Sequence, residues 1–181
     1  MSEACNTKHE LAAAFKTLLC QKAFGKISVE EICSQCKLNR KSFYYHFRDK
    51  YDLVIWIFET EFMSVLDRDR LHSEWDFILT LCGYFEANRM YYRRVMAVDG
   101  QNSLEEYIRA LVQPALTQLM PSLCSDSIRF AFYVHFYSDA FIASLRRWLN
   151  DQPDLSAQEF VDLLRSCMSF PAESSSNKSF V

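Results

Sequence analysis

Residues 38–53 read LNRKSFYYHFRDKYDL and predict a short basic helix followed by the start of a longer one. Asn39 is a favourable N-cap for the short helix, over 40–46, because its side chain can accept an amide hydrogen bond that the first turn leaves unpaired. Phe43 and Phe47 lie one turn apart and would both face inward. The stretch therefore predicts a helix that aromatic rings anchor and whose basic, polar side faces solvent.

A second short helix is predicted immediately before this stretch. Ser28 and Glu31 have the spacing of a capping box, in which the serine accepts an amide hydrogen bond and the glutamate reaches back to the helix start. The helix over 28–35 is joined to the basic helix by a tight turn at Lys37 and Leu38. Two short helices with such a turn, the second basic and exposed, are typical of a helix-turn-helix.

The rest of the chain also has the apolar spacing of helices. With 3 Gly and 4 Pro in 181 residues, it has too few turn residues for a many-stranded β-sandwich or barrel. Further Ser-x-x-acid helix starts occur at Ser73, Ser103 and Ser156, and Asp49 can cap a long helix. The fold class is thus predicted to be all-α with about nine helices. Their predicted ranges are 7–24, 28–35, 40–46, 50–68, 74–88, 89–98, 103–120, 125–149 and 156–169.

Positive charge is concentrated in the N-terminal third of the chain. Residues 1–53 hold nine Lys and Arg against six Asp and Glu, a net +3, whereas the whole chain carries −3, which leaves −6 for residues 54–181. Residues 37–50 alone hold five bases and one acid, among Tyr, Ser, Asn and His side chains. A basic, hydroxyl-rich patch on an otherwise acidic protein is typical of contact with nucleic-acid phosphates. A solvated surface helix is the alternative interpretation.

This segment resembles the DNA-binding segment of TetR/AcrR-type transcriptional regulators. The similarity covers about residues 10–55, and its most diagnostic part is the Phe-Tyr-x-His-Phe-x-x-Lys-x-x-Leu string from Phe43 to Leu53. The segments 56–58 (Trp-Ile-Phe) and 84–92, which holds two aromatic pairs, resemble a branch of the family that includes activators of dihydroxyacetone kinase operons.

The resemblance implies a domain organisation and a function. Residues 1–53 would form a helix-turn-helix DNA-binding domain, residues 54–171 an effector-binding and dimerisation domain, and the Ser-rich residues 172–181 a disordered tail. The implied function is a transcriptional regulator, expected to be a ligand-responsive repressor that binds a palindromic operator as a homodimer. A TetR-fold coactivator that acts mainly through a protein partner is the alternative, and an α-helical enzyme comes third.

DNA contacts are expected throughout the helix-turn-helix. Arg40 and Lys41, near the start of the basic helix, are suited to guanine edges in the major groove, and the surrounding donors would position the protein on phosphates. Lys37 and Lys41 depart from the family pattern, because glycine is common at both positions, and Lys37 would be strained if its φ is positive. The full predicted set is Ser28, Asn39, Arg40, Lys41, Ser42, Tyr44, Tyr45, His46 and Lys50.

The aromatic and methionine residues of the C-terminal region have two open interpretations, a solid core or an effector cavity between helices. His135 and Asp139 lie one helical turn apart and could serve as metal ligands or as a polar anchor for a ligand. A buried, hydrogen-bonded histidine is the alternative. The predicted ligand-binding set is Phe62, Trp75, Tyr91, Tyr92, Met96, Phe132, His135, Phe136 and Asp139.

The predicted 125–149 helix is apolar around most of its circumference. One side should therefore contact the body of the chain and the other side a second subunit. In the resembling family the two final helices pair with their symmetry mates, which implies a two-fold homodimer. The predicted interface residues are Ile142, Leu145, Leu149, Phe160, Leu164 and Met168.

Several other functions lack a sequence signal. No run approaches the roughly 18 apolar residues of a membrane span, and the N-terminus lacks the features of a signal peptide. Seven scattered cysteines suit reduced thiols and a cytoplasmic location. Cys33 and Cys36 have zinc-ligand spacing without a second ligand pair, so core cysteines are favoured. We expect no metal, cofactor, membrane contact or enzymatic activity, and duplex DNA, a small-molecule effector or partner protein, and a second copy of the chain as partners.

Overall fold

The computed structural model of the protein describes residues 3–96, 104–120, 127–151 and 154–168. Within these ranges every regular element is helical, which confirms the predicted all-α fold class. Two 3-10 turns lie at Phe24–Lys26 and Arg68–Arg70. The nine α-helices are α1 (Glu3–Gln21), α2 (Val29–Gln35), α3 (Arg40–His46), α4 (Lys50–Val65), α5 (Glu74–Ala87), α6 (Arg89–Val95), α7 (Leu104–Leu119), α8 (Ser127–Asp151) and α9 (Ala157–Met168).

The helix boundaries differ from the prediction by three or four residues at four ends. The first helix begins at Glu3 instead of residue 7, and α6 stops at Val95 instead of residue 98. The first helix stops at Gln21 instead of residue 24, because the chain turns there and buries the Phe24 ring edge-on against Phe15, with 5.8 Å between ring centroids. The fourth helix stops at Val65 instead of residue 68, before the second 3-10 turn. The helix start predicted at Ser103 and the tail predicted over 172–181 lie outside the described residues.

The starts of α2, α3 and α4 are capped by the side chains that the sequence predicts. At α2, the Glu31 amide donates to Ser28 Oγ at 3.2 Å, and the Ser28 amide donates to Glu31 Oε2 at 2.9 Å. At α3, Asn39 Oδ1 accepts the Ser42 amide at 2.8 Å. At α4, Asp49 Oδ1 accepts the Tyr51 and Asp52 amides at 2.8 and 2.9 Å. These bonds satisfy amides that would otherwise lose their partners on folding.

A left-handed residue closes α2 and sets the turn before α3. Lys37 has φ 58° and is the one non-glycine residue in the described ranges with a positive φ. Its amide donates to Ser34 O at 3.2 Å, and the Leu38 amide donates to Cys33 O at 2.8 Å. This pair of bonds is a Schellman motif, which usually carries glycine at the position of Lys37. Lys37 therefore carries the backbone strain that the sequence predicts for a positive φ at this position.

Helices α1–α3, named the head from here on, form one end of a continuous core. Leu11, Phe15, Ile32 and Phe43 are all fully buried there. α1 also contacts α4 and α6, so the head packs directly against the remaining helices, α4–α9, which we call the body.

The body is held together by packing between α5, α7, α8 and α9. The rings of Trp148 on α8 and Phe160 on α9 stack with 4.6 Å between centroids, and Trp148 Nε1 donates to Leu155 O at 2.7 Å. Arg89 on α6 donates to Trp148 O at 2.7 Å, which joins α6 to α8. In the described part of the chain, no helix has both the length and the hydropathy needed to cross a membrane.

Lys37→Gly should raise the free energy of unfolding by about 1 kcal/mol, because glycine adopts the left-handed conformation without the Cβ clash. Urea unfolding measures the change. Lys37→Ala is the matched control, since it removes the ammonium group and keeps the Cβ, and it should bring no gain. Equal stabilisation by alanine and glycine would show that charge, and not backbone strain, sets the cost at this position.

Candidate DNA-binding surface and effector cavity

The outer face of α3 is a continuous basic and aromatic surface. Arg40, Lys41, Tyr44 and Tyr45 occupy neighbouring positions on successive turns, and all four side chains are exposed, Tyr45 by 81%. The Arg40 guanidinium lies over the Tyr44 ring, 5.9 Å from its centroid. This geometry presents two cations and two phenols on one side of a narrow helix, an arrangement that can enter the major groove of duplex DNA.

Four other predicted DNA contacts lie on α3 or at the N-caps of α2 and α3. Ser28 and Asn39 are exposed at the N-termini of α2 and α3, and both side chains are engaged in the caps described above. Ser42 is half-buried, and its hydroxyl lies 3.2 Å from Asn39 Oδ1. His46 is half-buried against the edge of Tyr45, with 4.9 Å between ring centroids. Asn39, Ser42 and His46 thus adjoin the α3 surface, whereas Ser28 lies at the start of α2.

Lys50 is placed differently from the prediction. Its ammonium group donates to Phe24 O and Ile27 O, both at 2.9 Å, and lies 3.4 Å from Gly25 O. It also lies 4.6 Å from the centroid of the Phe24 ring. Burial lowers the pKa of Lys50 from its ordinary value. An ammonium group has three donors, and all three point at carbonyls of the loop between α1 and α2, so the predicted phosphate contact does not fit this position.

A hydrogen-bond network that the sequence did not reveal connects the head to the body. Lys16 on α1 forms an ion pair with Glu61 on α4. Glu61 Oε2 accepts the Tyr84 hydroxyl of α5 at 3.1 Å, and the hydroxyls of Tyr84 and Tyr92 lie 2.7 Å apart. Burial is the main cause that raises the pKa of both tyrosines above its ordinary value. Four helices therefore meet in one polar chain, whose outer end lies on α1.

The predicted ligand-binding residues do not line one common cavity. Tyr92 and Met96 are solid core, with at most 1% of either side chain exposed. Phe62, Trp75 and Tyr91 line three separate cavities. The remaining predicted residues are exposed on α8, outside any of these cavities, and are Phe132, His135, Phe136 and Asp139.

His135 and Asp139 do share one face of α8, but that face is exposed. The alternative of a buried histidine is therefore wrong. Asp139 Oδ1 accepts a hydrogen bond from Arg109 Nε on α7 at 2.8 Å, so its carboxylate serves as an ion-pair partner between two helices.

The cavity that includes Phe62 lies between α4, α5 and α7 and has a volume of about 360 Å³. Two residues of its wall, Glu59 and Tyr107, carry polar groups. The Tyr107 hydroxyl donates to Glu59 Oε1 at 2.8 Å. The sequence did not single out most of the apolar wall, because those residues come from α4, the connection after it, α5 and α7, and only the fold brings them together. An adjoining cavity of about 420 Å³ has part of this wall in common. The apolar wall consists of Phe58, Phe62, Met63, Leu66, Leu71, Phe77 and Leu111.

The predicted dimer residues require a correction. Four of them, Ile142, Leu145, Leu149 and Phe160, are at most 5% exposed in the single chain, because they pack between α8, α9 and the rest of the body. A contact surface between subunits needs side chains that are exposed on each subunit, so these four cannot supply it. The other two predicted residues, Leu164 and Met168, are half-buried beside a cavity of about 120 Å³.

The opposite side of α8 carries an exposed apolar stripe. Ile128, Phe132 and Phe136 follow one another at intervals of one turn and are exposed by 80%, 64% and 54%. Leu163 on α9 is exposed by 55%. The sequence correctly indicated that α8 is apolar on two sides, but not which residues face outward.

The cysteine pair of α2 lies in the head core. Cys33 is buried, and Cys36 Sγ lies 3.2 Å from Ile32 O. Burial raises the pKa of both thiols above the ordinary value. No group of three or more His, Cys, Asp or Glu side chains that could hold a metal ion occurs among the residues that the structure describes.

Two family models match the chain. The model described as "Bacterial regulatory proteins, tetR family" matches residues 11–56, which include α2 and α3. The model described as "Transcriptional regulator C-terminal region", of the TetR type, matches residues 73–169, more than half of the chain.

Similar proteins include regulators of known name. The chain is 30% identical over 100 residues to the HTH-type dhaKLM operon transcriptional activator DhaS of Lactococcus lactis subsp. lactis (strain IL1403). That match covers 55% of this chain and 54% of the relative, so the chain spans about half the length of this curated relative.

Two solved structures share the fold. One is the dihydroxyacetone kinase operon activator DhaS, with a TM-score of 0.59, 22% identity, and coverage of 90% of this chain and 96% of that chain. The other is a TetR transcriptional regulator from Streptococcus agalactiae 2603V, with a TM-score of 0.72, 20% identity, and coverage of 92% and 95%. At these identities the likeness shows the fold alone.

Lys50→Met should lower the free energy of unfolding by about 2 kcal/mol, because it removes charge-assisted hydrogen bonds to the α1–α2 loop. Urea unfolding measures this loss. Lys41→Met is the matched control, since Lys41 is exposed, and it should change stability by less than about 0.5 kcal/mol. If Lys50→Met leaves the free energy of unfolding unchanged and makes DNA affinity less dependent on salt, Lys50 contacts phosphate as the sequence predicts.

Proposed function

Because the chain belongs to the TetR family of transcriptional regulators, we propose that it binds a palindromic operator as a homodimer, through α3, and regulates an operon in response to a ligand. In this proposal residues 1–53 are the DNA-binding domain and residues 54–171 bind the effector and form the dimer. Members of the family are in general DNA-binding proteins without enzymatic activity, and neither family model that matches the chain describes an enzyme.

The exposed face of α3 carries the proposal for DNA. Arg40 and Lys41 stand at the N-terminal end of α3, where a recognition helix meets base edges. Tyr44 and Tyr45 extend the same face by one turn and offer hydroxyl donors. On the opposite side, the burial of Phe43 and Phe47 leaves this face pointing away from the protein. We assign Arg40 and Lys41 to guanine edges and the tyrosines to phosphate or sugar.

The cavity between α4, α5 and α7 supports the proposal for an effector. Its volume of about 360 Å³ lies within the range of small-molecule sites, and its wall is mostly apolar with a phenol and a carboxylate at one side. Phe58 and Phe62 line it from α4, and α4 also carries Glu61, the partner of Lys16 in the head. We propose that a small, largely apolar molecule binds there and acts on the head through α4.

The stripe on α8 supports the proposal for a homodimer. Isolated subunits would expose three large apolar side chains in a row, and a two-fold axis beside α8 would bury each stripe against its copy. α9 can contribute Leu163 to the same surface. The buried residues Ile142, Leu145, Leu149 and Phe160 pack on the inner side of these helices, against the rest of the body.

The direction of regulation is proposed from a relative. The sequence predicted a repressor, and that prediction has no test in the structure. The name of the DhaS relative, an operon activator, favours activation. Transcript levels from the operator in cells with and without the chain decide between the two, because loss of an activator lowers them and loss of a repressor raises them.

Selection of duplexes from a random library by the purified chain tests the function as a whole. The proposal expects an enriched palindrome whose half-sites lie about one DNA turn, roughly 10 bp, apart. If no duplex is enriched while the chain is folded and dimeric, the coactivator alternative, which acts through a protein partner, replaces the proposal.

Arg40→Ala and Lys41→Ala should each weaken binding to the selected operator by about 1–3 kcal/mol and relax the preference at one base pair per half-site. Fluorescence anisotropy with the operator and with single-base variants measures both effects. Lys26→Ala is the matched control, because it removes one exposed cation from the head outside α3 and should leave base preference unchanged. Equal losses on operator and random duplex would restrict Arg40 and Lys41 to phosphate contacts.

Phe136→Glu should convert the dimer to a monomer, because two carboxylates would face each other across the two-fold axis without a partner. Sedimentation velocity measures the mass, and operator affinity should fall with it while α3 is unaltered. Val65→Glu is the control, since Val65 is similarly exposed, at 52%, but lies on α4. A stable Phe136→Glu dimer with full operator affinity would place the subunit contact elsewhere.

A further inference from the structure

A cavity that the proposed function does not use lies between the head and the body. It has a volume of about 430 Å³ and is bounded by Lys16 and Leu19 of α1 and by Met90, Tyr91 and Arg94 of α6. An adjoining cavity of about 380 Å³ shares Met90 and Arg94 and adds Arg93. Together they form a groove along the contact between α1 and α6, which we call the α1–α6 groove.

The charge of the groove favours an anion. Lys16, Arg93 and Arg94 contribute three cations to its walls, and none of the lining residues, all of which lie within the described ranges, is Asp or Glu. Guanidinium and ammonium groups form their strongest hydrogen bonds with carboxylate and phosphate oxygens. Leu19 and Met90 supply an apolar side, so the groove suits an anion that also has an apolar body.

Tyr91 contributes its ring to the wall of the groove. Its hydroxyl is buried and makes no hydrogen bond within the part of the chain that the structure describes. Lys16 Nζ lies 5.2 Å from the centroid of the same ring. A buried hydroxyl without an acceptor is rare in native proteins, because its lost hydration is not replaced. Because this hydroxyl is closed off from the groove, the contacts to an anion are left to Lys16, Arg93 and Arg94.

We propose that the α1–α6 groove binds a small organic anion with an apolar body, either a carboxylate or a phosphate ester, held by Lys16, Arg93 and Arg94. This site is separate from the apolar cavity between α4, α5 and α7.

Through two contacts of its lining residues, an anion bound in the groove would affect the head. Lys16 pairs with Glu61 of α4, and Arg94 donates to Leu19 O near the end of α1. A bound anion competes with Glu61 for Lys16 and with the Leu19 carbonyl for Arg94, so it loosens α1 from the body. The resulting change in operator affinity rests on the proposed DNA-binding function, whereas anion binding itself does not.

Calorimetric titration of the full chain with three six-carbon probes tests the site. Hexanoate and hexyl phosphate carry the two candidate head groups, and hexanol is the neutral control. At least one anion should bind at one site per chain, at least about tenfold more tightly than hexanol. The tighter anion identifies the head group, carboxylate or phosphate. No anion binding, or equal binding of hexanol, would overturn the proposal.

Variants assign the binding to the groove. Arg93→Gln together with Arg94→Gln should weaken the anion at least about tenfold. Arg93→Gln alone leaves the Arg94–Leu19 bond in place and should also weaken anion binding. The single variant therefore tests the site even if the double variant has a folding defect. Arg70→Gln removes an exposed cation beyond the groove and should bind like the parent chain. Parent-like affinity of both groove variants would contradict the assignment.

Operator affinity measured with and without the anion separates the two proposals. Anion binding without any duplex binding would leave the groove proposal standing and remove the proposed function. Duplex binding without anion binding would do the reverse. When both bind, the anion should shift operator affinity, and no shift would overturn the effect on the head.

Discussion

The exposed surface of α3 depends on the burial of Phe43 and Phe47 on its opposite side. A seven-residue helix has almost no stability of its own in water, because the cost of forming its first turn is not repaid over so short a length. Here the two rings are at most 3% exposed, and the Phe47 ring lies 5.8 Å from Trp56 of α4. The same contacts that make α3 a helix also aim its cations outward, so folding and the proposed DNA recognition depend on one set of interactions.

The position of the head relative to the body depends on a few polar contacts around α1. Lys50 of α4 holds the loop after α1 through backbone carbonyls, Lys16 pairs with Glu61, and Arg94 holds the end of α1. Lys16 and Arg94 line the α1–α6 groove, and Lys50 and Glu61 belong to α4, which lines the cavity between α4, α5 and α7. Side chains that hold α1 in place are therefore also the ones that a bound molecule can reach. In the proposed homodimer, this arrangement would link ligand binding in the body to the spacing of the two heads on DNA.

Local chemistry explains what could be predicted from the sequence. The caps at Ser28, Asn39 and Asp49, and the helix periods between them, depend on residues within one or two turns, so the fold class and the helix-turn-helix follow directly. The strained turn at Lys37 could be anticipated for the same reason. The exposed face of α3 also follows, because the spacing of its two phenylalanines defines the inner side.

Contacts between distant segments explain what could not be predicted. Lys50 offers the same three donors to a phosphate or to carbonyls 23 and 26 residues away, and the sequence alone does not distinguish them. α8 is apolar on both sides, so periodicity left open which residues face the body, and Leu145 was assigned to the wrong side. The wall of the proposed effector cavity comes from α4, α5, α7 and the connection between α4 and α5, and the predicted set included only Phe62 from it.

A salt titration of the parent chain on its selected duplex tests the central claim that α3 contacts DNA phosphates and bases. If the two cations of α3 on each of two heads displace the counterions of four phosphates as they enter the groove, the logarithm of the affinity should fall against the logarithm of salt concentration with a slope of roughly −3.6 or steeper. A slope near zero, or no measurable duplex binding at low salt, would contradict the account.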